Sequence, residues 1–157
     1  PGALYLTPVF ILLLTGISGL SILSGGPITV GGQYFGIHFV ALSSMATLIG
    51  LSAILLGMLA KIAIAIYHPV PRGRVVPWLK RGRPLEWLVL GGGLLTVAGL
   101  AVDALLAFKW LFVGGSMDQS VHLTFAITTA CVAGVMMVLS GFVLKLLLDN
   151  LSEGHGF

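Results

Sequence analysis

The sequence predicts an all-α integral membrane protein with four transmembrane helices, arranged as two repeated two-helix hairpins. Of its 157 residues 57% are hydrophobic and 8% charged, with a mean hydropathy of +1.09, whereas about 25% of residues are charged in soluble domains. Apolar runs cover about 6–23, 35–61, 87–110 and 121–144, each close to the ~20 residues that a hydrocarbon layer of ~30 Å demands. His38, Ala46, Gly50, Gly57 and Lys61 recur 84 positions on as His122, Ala130, Gly134, Gly141 and Lys145. Histidine and lysine are scarce here, so a shared pair at one interval argues for duplication where coincident glycines would not.

The expected organisation is one transmembrane domain over 1–157: a first repeat unit at 6–67, a basic loop at 67–87 and a second unit at 88–148. Span one, Leu6 to Leu23, is uncharged, lacks the basic start of a signal peptide, and offers Thr15, Gly16, Ser18 and Gly19 as a small packing face. Ser24 to Gln33 reads as a glycine-rich turn without structure of its own. Span two begins at the interfacial pair Tyr34 and Phe35, and its Ala46, Gly50, Ala53 and Gly57 form a packing surface matched in span four by Ala126, Ala130, Gly134 and Gly141.

The next connector carries Arg72, Arg74, Lys80, Arg81 and Arg83 against Glu86 and is interrupted by Pro69, Pro71, Pro77 and Pro84. By the positive-inside rule it is cytoplasmic, and four spans then put both termini there too, in a bacterial inner membrane. Because the net charge of +3 is gathered in this loop, a membrane surface is the expected partner and nucleic acid is not. Span three has Trp87 and Trp110 near its ends, and span four leads into a polar tail.

Asp103 lies inside the third apolar run. A carboxylate at mid-membrane costs about 3 kcal/mol, so it must be neutral, paired or facing a polar cavity. A structural hydrogen bond to Thr128 or Thr129 and a ligand or relay role are both open. His38 and His122, one on each repeat, either satisfy themselves at the interface or ligate a haem or bacteriochlorophyll. Lys61 and Lys145 either snorkel to headgroups or join Arg72, Arg74, Lys80, Arg81 and Arg83 in holding a lipid phosphate. Cys131, the single cysteine, reads as a small core residue, and no metal motif, nucleotide loop or catalytic triad occurs. This chain alone is expected to be no catalyst.

The glycine pair before the helix of His38, the glycine-spaced run ending at Ala60-Lys61, and the glycine-rich third span ending near Trp110 and Gly114-Gly115 resemble the C-terminal membrane domain of bacterial family 2 glycosyltransferases of the dolichol-phosphate (polyprenyl-phosphate) type. The resemblance implies a membrane anchor that holds lipid or polyprenyl phosphate beside a catalytic nucleotide-sugar domain. The chain departs from that pattern in having Phe39 where a threonine usually follows the histidine and Met136 or Met137 where a glutamine is common in the last span. The alternative is an accessory subunit of a large respiratory or photosynthetic membrane complex, contacting lipid, pigment or quinone. Both readings make membrane lipids and a larger protein assembly its partners.

Overall fold

A computed structural model describes the backbone of residues 2–67, 83–113 and 117–153 and the side chains of 7–64, 83–112 and 121–150. Helix α1 spans Gly2–Leu23, strands β1 and β2 span Ile28–Val30 and Gln33–Phe35, and helices α2, α3 and α4 span Ile37–Tyr67, Arg83–Val113 and Met117–Glu153. The protein is thus helical with one small hairpin. Stretches of α2, α3 and α4 are long and apolar enough to cross a membrane, at Ile37–Ile64, Arg83–Phe112 and Val121–Asn150. The described apolar part of α1, Thr7–Leu23, is shorter, although the whole helix has 22 residues and no charge.

The connector after α1 corrects the expectation of a structureless turn. Ile28, Thr29 and Val30 pair antiparallel with Phe35, Tyr34 and Gln33, leaving Gly31 and Gly32 as a two-residue loop with φ of 59° and 82°. Positive φ at both positions is what a tight hairpin turn of matching twist requires, and glycine reaches it without steric cost. Tyr34 and Phe35 therefore belong to a strand, and α2 starts only at Ile37.

The helices also run past the predicted spans: α4, at 37 residues, is roughly 55 Å long at about 1.5 Å per residue. Hydropathy marks where a chain leaves hydrocarbon, whereas a helix stops only where its backbone bonding stops. Lys61 and Lys145 consequently sit inside helices, with six and eight further helical residues beyond them.

Cross-helix contacts fix how the helices run. Gly16 and Gly19 of α1 lie on Thr47 and Ser43 of α2, and Gly50 lies on Leu13, so α1 and α2 are antiparallel. Gly92 meets Gly134 and Met137, and Gly99 meets Cys131, so α3 and α4 are antiparallel too. The two pairs join along α2 and α4. Val40 shares an apolar cluster with Ala126, Ser44 bonds Thr129, and Ile62 shares a cluster with Leu144. That order makes α2 and α4 parallel.

Small residues make these approaches close. A Cβ on Gly50 would lie 2.8 Å from the Leu13 amide nitrogen, and one on Gly134 would lie 2.6 Å from the Gly92 carbonyl oxygen. In a membrane, where apolar lipid removes the hydrophobic drive for helix pairing, such backbone approach supplies the van der Waals contact that replaces it. The contacts correspond between pairs: Leu13 with Gly50 and Gly16 with Thr47 are matched by Thr96 with Gly134 and Gly99 with Cys131. Residues of α1 fall 83 positions before their α3 counterparts, and residues of α2 fall 84 before those of α4.

Two apolar clusters close the bundle, one toward each end. Leu20, Leu23 and Val40, with Phe35 and Ala126, seal the end that carries the β-hairpin. Ile62, Leu85 and Leu144, with Met58, Leu88 and Leu147, seal the end where Tyr67 and Arg83 flank residues 68–82. The start of α1 and the end of α4 also lie toward this second end. Elsewhere large apolar side chains such as Phe10, Leu90, Leu94, Leu105 and Leu139 are more than half exposed, the surface expected of helices that face lipid.

Candidate functional site

The residues singled out from the sequence divide between the two ends of the bundle. At the end that Tyr67 and Arg83 mark, Lys61, Arg83 and Lys145 are all exposed. Each sits within two residues of a member of the buried cluster Ile62, Leu85 and Leu144, so the three cations share one level around a dry plug. Glu86, in the first turn of α3, is well placed against the positive end of that helix. Arg72, Arg74, Lys80 and Arg81 lie outside the described residues.

At the hairpin end, His38 and His122 come together. They line one cavity of about 280 Å³ with Tyr34, Gly36, Phe39 and Val121. His38 is exposed, whereas His122 is only 4% exposed. Neither ring nitrogen of His122 has a hydrogen-bond partner among the described residues. The cavity exists because β2 delivers Tyr34 to the start of α2, and because α2 and α4 run in parallel with His38 and His122 at matching positions.

Asp103 faces a second cavity, of about 350 Å³, between α3 and α4, where Leu106, Trp110, Val121, Phe125 and Thr128 are further lining residues. Thr128 Oγ1 donates to Asp103 Oδ2 at 3.2 Å, while the buried Oδ1 has no partner among the described residues. Val121 borders both hollows. The hydrogen bond across the helices that sequence depth suggested is therefore present, and it uses one of the two carboxyl oxygens.

Some polar contacts were not foreseen. Thr129 Oγ1 donates to the Phe125 carbonyl at 2.6 Å, which uses its hydrogen, so in the 2.6 Å contact with Ser44 the serine hydroxyl is the donor. That bond ties the two helix pairs together about one turn from Val40 and Ala126, nearer the hairpin end. Tyr34, read as an interfacial anchor, also lines the histidine cavity; the signal that could have placed it there was the Gly31-Gly32 turn between residues of high strand preference. Among the described residues no group of three or more potential ligands could hold a metal ion.

Comparison with known proteins agrees with the architecture. Residues 58–148, more than half of the chain, match the glycosyltransferase family 2 C-terminal transmembrane region. Over 147 residues, 92% of the chain, it is 33% identical to the low-salt glycan biosynthesis hexosyltransferase Agl6 of Haloferax volcanii. The chain spans 34%, about a third, of the length of that relative. No solved structure matches it. A multi-pass helical protein whose α2 end, third helix and most of its fourth helix fall within that match belongs to the family of glycosyltransferase family 2 C-terminal transmembrane regions.

Proposed function

We propose that this chain is the membrane part of a polyprenyl-phosphate glycosyltransferase, which holds a catalytic nucleotide-sugar domain at the membrane and presents the lipid phosphate to it. Sugar transfer itself would be the work of that domain. The observation that carries the reading is the match of residues 58–148 to a glycosyltransferase transmembrane region, and the 33% identity to a hexosyltransferase supports it.

The lipid phosphate belongs at the end marked by Lys61, Arg83 and Lys145, with Arg72, Arg74, Lys80 and Arg81 completing the cationic set. Guanidinium forks suit phosphate oxygens, and each cation near an anionic surface contributes about 1 kcal/mol. By the positive-inside rule the same charges favour the cytoplasm for this end, and with it for the start of α1 and the end of α4.

Replacing Arg81 and Arg83 together by alanine should lower retention of a co-purified polyprenyl phosphate about tenfold, read by native mass spectrometry, since two cations at about 1 kcal/mol each exceed the 1.4 kcal/mol of one decade. Unchanged lipid retention would refute the assignment. If the lipid stays while a bound catalytic domain is lost, the arginines serve protein docking instead.

A further inference from the structure

We propose that the cavity shared by His38 and His122 is a binding site for a neutral, hydroxylated headgroup, such as a sugar ring, at the end of the bundle opposite the basic residues. The inference does not depend on the glycosyltransferase reading, because it rests on the donors and acceptors of this cavity.

His122 is the key residue. It is 96% buried, being 4% exposed, and neither Nδ1 nor Nε2 has a partner among the described residues. A neutral imidazole presents one N–H donor and one bare acceptor nitrogen on different edges. Leaving both unmet in a buried setting costs stability, so a histidine held this way is built for a partner that supplies both kinds of group. Two hydroxyls of one polyol do so, one accepting from the ring N–H and the other donating to the bare nitrogen.

The remaining lining points the same way. His38 adds a second imidazole and Tyr34 a phenol hydroxyl, each able to donate and to accept. Ile37 and His38 open α2, where backbone N–H groups lack intrahelical acceptors; the next one, that of Phe39, is already taken by the Gly36 carbonyl at 3.0 Å. Tyr34 and Phe39 also supply aromatic surface for the apolar faces of a ring. At about 280 Å³ the hollow lies at the lower limit of small-molecule sites, which start near 300 Å³.

Other ligand classes fit less well. A phosphate or carboxylate only accepts hydrogen bonds when ionised, and no lysine or arginine lines the cavity to balance its charge. An acyl chain would leave every polar group here unmet. The shared chemistry of the remaining class, a polyol without charge, can come from a glycolipid at the membrane surface or from a free sugar in water.

The test uses the protein in phosphatidylcholine nanodiscs, with histidine ring nitrogens labelled and followed by NMR, and three probes: monoglucosyl diacylglycerol, free glucose and phosphatidic acid. The glucosyl lipid is expected to shift both His122 nitrogens saturably. Tyr34→Ala, on the exposed hairpin, should weaken that response at least tenfold without changing the thermal midpoint, and His38→Ala should weaken it too. A matching saturation by glucose alone would support the site and assign it to free sugars. No shift with either sugar probe would overturn the proposal, as would a stronger response to phosphatidic acid or full binding in Tyr34→Ala.

Discussion

The two helix pairs use the same close approaches but fill the space beside them differently. Leu20, Leu23 and Val40 form a buried apolar cluster in the first pair. At the displacements that relate the pairs, their counterparts are Asp103, Leu106 and Thr124, and all three line the second cavity. One position in the plan is a dry plug in one half and, in the other, a mostly apolar hollow into which Asp103, Thr124 and Thr128 bring polar groups. Pairing of the helices is secured by Gly50 on Leu13 and by Gly134 on Gly92 and Thr96, so it does not need that space. The second pair is thereby free to keep a carboxyl at membrane depth.

The largest effect should come from forcing the first half to imitate the second. Leu20→Asp would put a carboxyl into the buried apolar cluster with Leu23, Val40 and Phe35. Burying an ionised carboxylate without a charge partner costs several kcal/mol. We expect loss of the folded protein, or a fall of many degrees in its thermal midpoint in mild detergent. A midpoint near that of the parent would mean that the first half has a polar hollow as well.

Next come the glycines on which the shared plan rests. Alanine at Gly50 would meet the Leu13 backbone at 2.8 Å, and alanine at Gly134 would meet the Gly92 carbonyl at 2.6 Å. In both cases the obstacle is backbone, which cannot swing aside, so each should cost about 1–3 kcal/mol as overpacked cores do. Gly57, which has nothing within 4 Å of such a Cβ, serves as the control, because alanine in an open helix position is favoured by about 1 kcal/mol. Matched losses at Gly50 and Gly134 with none at Gly57 would sharpen the comparison. A harmless Gly134→Ala would break it.

These contrasts show which features the sequence reveals and which it hides. Apolar runs and small residues announced the spans and their packing faces, because membrane insertion and close helix approach depend on composition alone. The hairpin escaped notice because Ser24 to Gln33 reads as one glycine-rich turn between spans, which hides the two-residue turn at Gly31-Gly32 between Thr29-Val30 and Gln33-Tyr34. Depth along a helix was readable for Asp103 and Thr128, since residue count gives it. Rotation about the helix axis was not, which is why the bond from Ser44 to Thr129 was not foreseen. The sharing of one cavity by His38 and His122 followed from parallel α2 and α4, an arrangement that no local pattern encodes.

The smallest effect on stability, and the most informative about Asp103, is expected from making the second half imitate the first. Asp103→Leu combined with Thr128→Val removes one hydrogen bond of 3.2 Å together with the Oδ1 acceptor that has no partner among the described residues. Replacing both members of a pair by apolar groups of similar shape is close to neutral or slightly stabilising, whereas removing one member strands the other. The double variant should therefore keep its thermal midpoint within about 0.5 kcal/mol of the parent, the range of substitutions that disturb no specific feature, while Thr128→Val alone should lose more. If the double variant falls by more than that, Asp103 is a structural tie between α3 and α4. If it is stable but a full-length enzyme carrying it loses sugar transfer to lipid, the hollow is kept polar for function, and the contrast with Leu20 and Val40 marks where the two halves parted.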